Sequence, residues 1–166
     1  IQHEEWVAIG KKYGIPTTID IAADVPPVSN LWRFNEMGFD FVAISGGKAL
    51  RGPQSAGLLM GKKDLIKAAR LSMPPRGETI GRGMKVNKEE ILGMLVAVEE
   101  FVKIDHDAEA LIFLERIKKI QAAAESVPGV TTTISTPTLG NVTPTLNISL
   151  DYSKISKTGE QLRLDL

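Results

Sequence analysis

The sequence predicts an α/β protein in which part of a mostly parallel sheet is followed by a smaller α+β unit. Two β-branched, apolar runs, "TTID" ending at Asp20 and "FDFVAIS" ending at Ser45, are separated by a stretch long enough to hold a helical crossover. The connection from Ser45 to the next apolar run, "AGLLMG", is too short for a second crossover. Beyond residue 84 the pattern changes to two long helical segments and then two β-branched runs.

Taken in order, the first helix runs to about Tyr13 and stops at "YGIP", where Gly14 suits a left-handed C-cap and Pro16 blocks resumption. "TTID" is a short strand. "IAADVPPVSN" breaks regular structure with two prolines, and "LWRFNEMG" is a short helix closed by Gly38. With "FDFVAIS" this makes a βαβ unit, right-handed, with parallel strands expected to be buried on both faces. Asp20 and Ser45 then share one edge, and "AGLLMG" returns antiparallel. "KKDLIKAARL" is a short helix, and the Gly/Pro/Arg-rich "SMPPRGETIGRGMKV" is a long irregular link, of the kind that in compact domains is usually functional.

The expected domains are 1–84, the end of a larger one, and 85–166, a small and incomplete α+β one. Asn87 and Glu90 form a capping-box pair opening a helix whose apolar positions (Ile91, Leu92, Leu95, Val98, Val102) recur at helical spacing and predict its buried face. A second long helix extends from about Asp107 to Ser126 and ends at "VPGV". "VTTTIS" and "TPTLNISLD" are strands joined by a Pro/Gly/Asn turn. "SKTGEQLRLDL" opens a further helix. The uncapped start and this unfinished end predict a piece of a longer chain. No repeat or low-complexity tract is present.

With 20 basic and 20 acidic residues the total charge favours neither a nucleic-acid nor an anionic-membrane partner. The absence of cysteine removes disulfides, thiolate nucleophiles and cysteine-based zinc sites. No apolar run approaches the roughly 20 residues of a membrane span and no secretory signal opens the chain, so a cytoplasmic location is expected. His3 and His106 have no ligand partners at metal spacing and are expected to be solvated, with no metal site. Trp6, Trp32 and Phe34 are assigned to helix packing.

The chemistry concentrates after the second strand, in "SGGKALRGPQSAG". Ligands of open parallel sheets bind outside the carboxyl ends of strands, which is where this layout puts Asp20, Ser45 and Lys48. A lysine desolvated in such a crevice supplies a neutral amine for Schiff-base formation, and Gly46 and Gly47 leave room for a bulky ligand. A carboxylate at the neighbouring strand end is what a protonated pyridine nitrogen requires, so the group matches the demands of pyridoxal phosphate. Most glycine-flanked lysines are solvated loop residues and most aspartates after strands cap turns, so these residues alone leave both readings open. A nucleotide P-loop fits less well, because Ala49 follows the lysine and Val42 stands where the first glycine belongs.

"IDIAADVPP", "GFDFVAISGGKALRGPQSAGLLMGKKDLI" and "GRGMKVNKEEILGML" resemble, in order and spacing, the later part of fold-type I pyridoxal-phosphate enzymes. Within these, the resemblance is to the branch of bacterial selenocysteine synthase (L-seryl-tRNA selenium transferase) and its relatives, D-glucosaminate-6-phosphate ammonia-lyase included, and it covers nearly the whole chain. It implies a cofactor, pyridoxal 5'-phosphate, bound as a Schiff base to Lys48. It further implies that Asp20 pairs with the pyridinium nitrogen, that Ser45 bonds the phosphate, that Gly47 borders the cofactor, and that Gln54 of "GPQ" approaches the phosphate or a dimer partner. Where many fold-type I relatives have a histidine before the lysine and a glutamine three residues after the aspartate, this chain has Gly47 and Ala23, which speaks against a cysteine desulfurase. The family's glycine-rich phosphate loop and ring-stacking group would precede residue 1.

Arg76 and Arg82, in the link between the domains, are candidates for binding a substrate carboxylate or phosphate, with solvent contact or helix capping as the alternative. The function expected is a pyridoxal-phosphate-dependent lyase of the elimination or ammonia-lyase type, acting on a small amino acid or an amino sugar acid such as a phosphorylated one. The alternatives are a selenocysteine synthase-type transferase acting on seryl-tRNA and a non-catalytic remnant. A tRNA partner is the less favoured because clustered positive charge is lacking. The resemblance implies a homodimer or higher homo-oligomer; no membrane partner is expected.

Overall fold

The computed structural model describes residues 1–137 and 140–165. They form two compact units, Ile1–Ile104 and the chain from Asp105 onward. In the first, helix α1 (His3–Tyr13) leads to β1 (Thr18–Asp20), α2 (Asn30–Met37), β2 (Phe41–Ser45), β3 (Gly57–Gly61), α3 (Lys63–Leu71), a 3-10 turn (Ile80–Met84) and α4 (Lys88–Phe101). The division in space falls later than residue 84 because α4 buries Met94 and Phe101 in the same apolar cluster as β2.

The sheet has the order β1-β2-β3. β1 and β2 are parallel, with Asp20 opposite Ala43, and β2 and β3 are antiparallel, with Ser45 opposite Gly57. The two helices preceding the parallel strands end where glycine allows it, Gly14 and Gly38 both adopting left-handed conformations. Val42 and Ile44 are buried with Val7 of α1 and Leu31 and Phe34 of α2. Phe41, Ala43 and Ser45, on the other face of the strand, are only partly covered, so the expected burial of both faces is not met. One side of the sheet carries the sealed cluster, and the pleat sends alternate residues away from it.

Aromatic placement also departs from expectation. Phe34 is core, but Trp6 and Trp32 are each about half exposed. His3 is partly covered: its ring meets Phe34 edge-on at 5.4 Å and Phe39 at 6.3 Å. His106 is also largely covered, its side chain 11% exposed with Nδ1 3.7 Å from the Glu109 carboxylate. The stripe expected to bury α4 is largely on the surface: Ile91, Leu92, Leu95 and Val102 are exposed. Only Val98 among those positions packs against the core.

In the second unit α5 (His106–Glu125) packs on the antiparallel pair β4 (Val130–Ser135) and β5 (Thr145–Leu150), and α6 (Gly159–Asp165) follows. Thr138 and Leu139 of the expected turn, and Leu166, lie outside the described residues. Gln121 Nε2 donates to Thr132 Oγ1 at 2.8 Å, and that hydroxyl donates to Glu125 at 2.6 Å, tying helix to strand. No described helix is long and apolar enough to cross a membrane.

The strand ends opposite the site are held by Asp40, which is 9% exposed. Its carboxylate accepts from Thr17 N at 2.7 Å and from Thr17 Oγ1 at 3.1 Å, and pairs with Lys62 Nζ at 2.6 Å. The Lys62 hydrogen bond foremost, then the Thr17 amide, holds the Asp40 carboxyl below its ordinary range, and the same pairing raises Lys62. A carboxyl whose pKa is lower in the folded state stabilises the fold above the unfolded value and loses that contribution as pH falls toward the folded one. Asp40→Ala, which strands the buried Thr17 amide, is expected to lower unfolding free energy by about 2 kcal/mol in urea titrations at neutral pH. Asp40→Asn is expected to flatten the loss of stability below the usual carboxylate range.

Candidate active site

The turn that presents Lys48 leaves β2 at Ser45 and returns to β3 at Gly57. Its geometry is set by close backbone approach. Gly46 N donates to Ala56 O at 2.9 Å, Gly52 N donates to Gly46 O at 2.8 Å, and Arg51 N donates to Lys48 O at 2.9 Å. Leu50 is buried and anchors the turn in the core, while Lys48 between these anchors is exposed. A Cβ on Gly46 would lie 2.5 Å from Met94 Sδ and 2.6 Å from Ala56 O. These glycines are therefore needed for contact with protein, in addition to any room they leave for a ligand.

Gln54 closes the turn from the other side, its Nε2 donating to Gly47 O at 3.0 Å. Gln54 thus has an observed structural role toward Gly47, the residue beside the lysine. Asp20 terminates β1 and is exposed; its Oδ1 accepts from Ala22 N at 2.9 Å, an Asx turn that orients the carboxylate at the strand end. Ile21 N donates to Ala43 O and Ser45 N to Ala22 O, extending the β1–β2 register through the edge. The fold thereby brings the ends of the Asp20 and Ser45 strands together, with Lys48 three residues beyond Ser45.

It does not gather the arginines into one place. Arg76 lines a groove of about 600 Å³ along α3 with Lys67 and Arg70. Arg82 lines a second of about 600 Å³ at the start of α4 with Lys85 and Lys88. Pro74 and Pro75 border both. Among the described residues no group of three histidine or acidic side chains is placed to hold a metal ion.

The sequence did not disclose the wall behind the lysine turn. It is the face of α4 carrying Glu90, Gly93, Met94 and Ala97, positions i, i+3, i+4 and i+7. A Cβ on Gly93 would lie 3.1 Å from Pro53 Cγ, and one on Gly52 would lie 3.1 Å from both Met94 Sδ and Ala97 Cβ. Ser55 Oγ donates to Glu90 Oε1, and Asn87 N donates to Glu90 Oε2 at 3.0 Å. Ser55 first, then the Asn87 amide, lowers the Glu90 pKa. The capping-box spacing located Glu90; only its second partner was invisible.

Residues 1–128 match the family model described as L-seryl-tRNA selenium transferase. The 5'-C-glycyluridine monooxygenase-decarboxylase of a Streptomyces species is 37% identical over 76% of this chain and 29% of its own length. The D-glucosaminate-6-phosphate ammonia lyase of Salmonella typhimurium is 22% identical over 98% of this chain and 41% of its own. The L-seryl-tRNA(Sec) selenium transferase of Aquifex aeolicus is 26% identical over 78% and 31%. The chain thus spans less than half the length of these relatives. A solved D-glucosaminate-6-phosphate ammonia-lyase structure superposes with TM-score 0.66 at 22% identity, covering 93% of this chain and 38% of that one, which shows a shared α/β fold.

Gly47→Ala would bring a Cβ to 2.5 Å from Gln54 Oε1 and 2.7 Å from Gln54 Cα. The expected cost is about 1–3 kcal/mol of unfolding free energy by urea titration. Adding Gln54→Ala should recover only part of it, because the backbone contact remains.

Proposed function

The chain belongs to the L-seryl-tRNA selenium transferase family, and from that membership we propose a pyridoxal-phosphate-dependent lyase of fold type I whose cofactor is attached at Lys48. The observation that carries this is the parallel register of β1 and β2, which delivers a carboxylate, a hydroxyl and, one turn later, an exposed amine to one sheet edge. That donor set fits the group: an amine for its aldehyde, an acid for its ring nitrogen and a hydroxyl for its phosphate. Residues 1–84 then belong to the large domain and residues 85–166 to the small one.

Asp20, oriented by its Asx turn, would pair with the ring nitrogen and favour its protonated form. Ser45 would donate to the phosphate. Gly47 would border the ring, and Gln54 holds the Gly47 carbonyl and with it the path of the turn. When bound, pyridoxal phosphate supplies an electron sink for charge developing at the substrate α-carbon. Once the substrate amine has displaced it from the cofactor, Lys48 Nζ would take the α-proton and pass it to the departing β-substituent. Arg76 and Arg82 are assigned to anionic groups of the substrate, a small amino acid or an amino sugar acid such as a phosphorylated one. Elimination would expel the β-substituent with its bonding electron pair, and water would then hydrolyse the resulting enamine or imine to a carbonyl compound, releasing ammonia.

A second reading, transfer to a seryl-tRNA, is favoured by the description of the matching family. It places a nucleophile where the lyase places only elimination. The balanced charge, 20 basic against 20 acidic residues, favours the lyase. A cytoplasmic homodimer completes the proposal.

Full-length protein given pyridoxal phosphate is expected to develop a visible absorption band that Lys48→Ala abolishes. An unchanged band in the variant removes Lys48 from its role. Perturbation of that band by a small acidic amino substrate, against salt-sensitive binding of charged tRNA, separates the two readings.

A further inference from the structure

Helix α4 touches the lysine turn at every step of its inner face, and one of those contacts is a charge-assisted hydrogen bond with no packing function of its own. Glu90 uses Oε2 to cap its helix through Asn87 N and Oε1 to accept from Ser55 Oγ. Ser55 lies between Gln54, whose amide holds Gly47 O, and Ala56, whose carbonyl receives Gly46 N. The residues on either side of the Ser55 anchor therefore grip the two residues that precede Lys48. Met94 and Ala97 lie against Gly46 and Gly52 without polar bonds, so they set distance but not direction. The polar link supplies direction.

We infer that Ser55 and Glu90 are positioning residues, a brace from the first turn of α4 to the Gly46–Ala56 turn that sets how Lys48 is presented to its cofactor. This rests on the assignment of Lys48 as the attachment point. The brace makes the lysine's placement depend on the seating of α4, whose exposed side carries Ile91, Leu92 and Leu95. Ser55 does not contact the cofactor in this scheme and takes part in no bond-making step.

Ser55→Ala removes the hydroxyl and leaves the Asn87 to Glu90 cap intact, so the thermal midpoint should change little. Two measurements on full-length protein test the brace. In Ser55→Ala, hydrogen exchange at the Gly46 and Gly52 amides is expected to accelerate roughly 5-fold, the scale of one ordinary hydrogen bond lost at an exposed position. The apparent dissociation constant for pyridoxal phosphate, read from the visible band, is expected to rise by about the same factor. Ser55→Thr, which keeps the hydroxyl, should restore both. Unchanged exchange in Ser55→Ala overturns the brace whatever the absorption does. Faster exchange with unaltered affinity overturns its role toward the cofactor. Faster exchange in a protein whose parent forms no band at Lys48 removes the lysine assignment and leaves the mechanical link standing.

Discussion

β1 and β2 run parallel with Asp20 opposite Ala43, and this pairing decides which residues can share an edge. Had the strands paired antiparallel, Asp20 would sit beside the start of β2, and Ser45 and Lys48 would leave from the opposite end of the sheet. The parallel arrangement is sustained by α2, which returns the chain across the sheet and buries Leu31 and Phe34 with Val42 and Ile44. That crossover puts the end of the Asp20 strand beside the end of the Ser45 strand, with Lys48 three residues further on, although 28 positions separate Asp20 from Lys48 in sequence.

The two ends of the sheet differ in character. At one, the buried Asp40 and Thr17 join the exposed Lys62 in a cluster that fixes where all three strands begin or end. At the other, polar groups stay exposed and are bonded to local backbone, Asp20 to Ala22 and Gln54 to Gly47. The buried carboxylate in the first place secures register, and Asp20, Lys48 and Gln54 in the second are exposed.

Helix α4 links the sheet to the site from behind. Small residues and one flexible thioether on its inner face let the lysine turn approach closely, at Gly46 and Gly52 in particular. The larger aliphatic residues consequently face outward. This inversion explains why an apolar stripe at helical spacing was a poor guide here: the periodic signal identifies apolar positions, while burial is decided by which face the neighbouring backbone can reach.

Element type and order were legible in the sequence, because prolines, glycines and the change from two-residue to helical periodicity are local signals. So were the candidate groups Lys48, Asp20 and Ser45, since their positions after apolar strands follow from strand termini alone. The capping pair Asn87 and Glu90 was legible for the same local reason. Tertiary structure alone decided the outward face of α4, the packing of His3 on Phe34 and Phe39, the Asp40 cluster and the second bond of Glu90 to Ser55. Each of these is a contact between segments far apart in the chain, and no local spacing encodes which distant partner will close it.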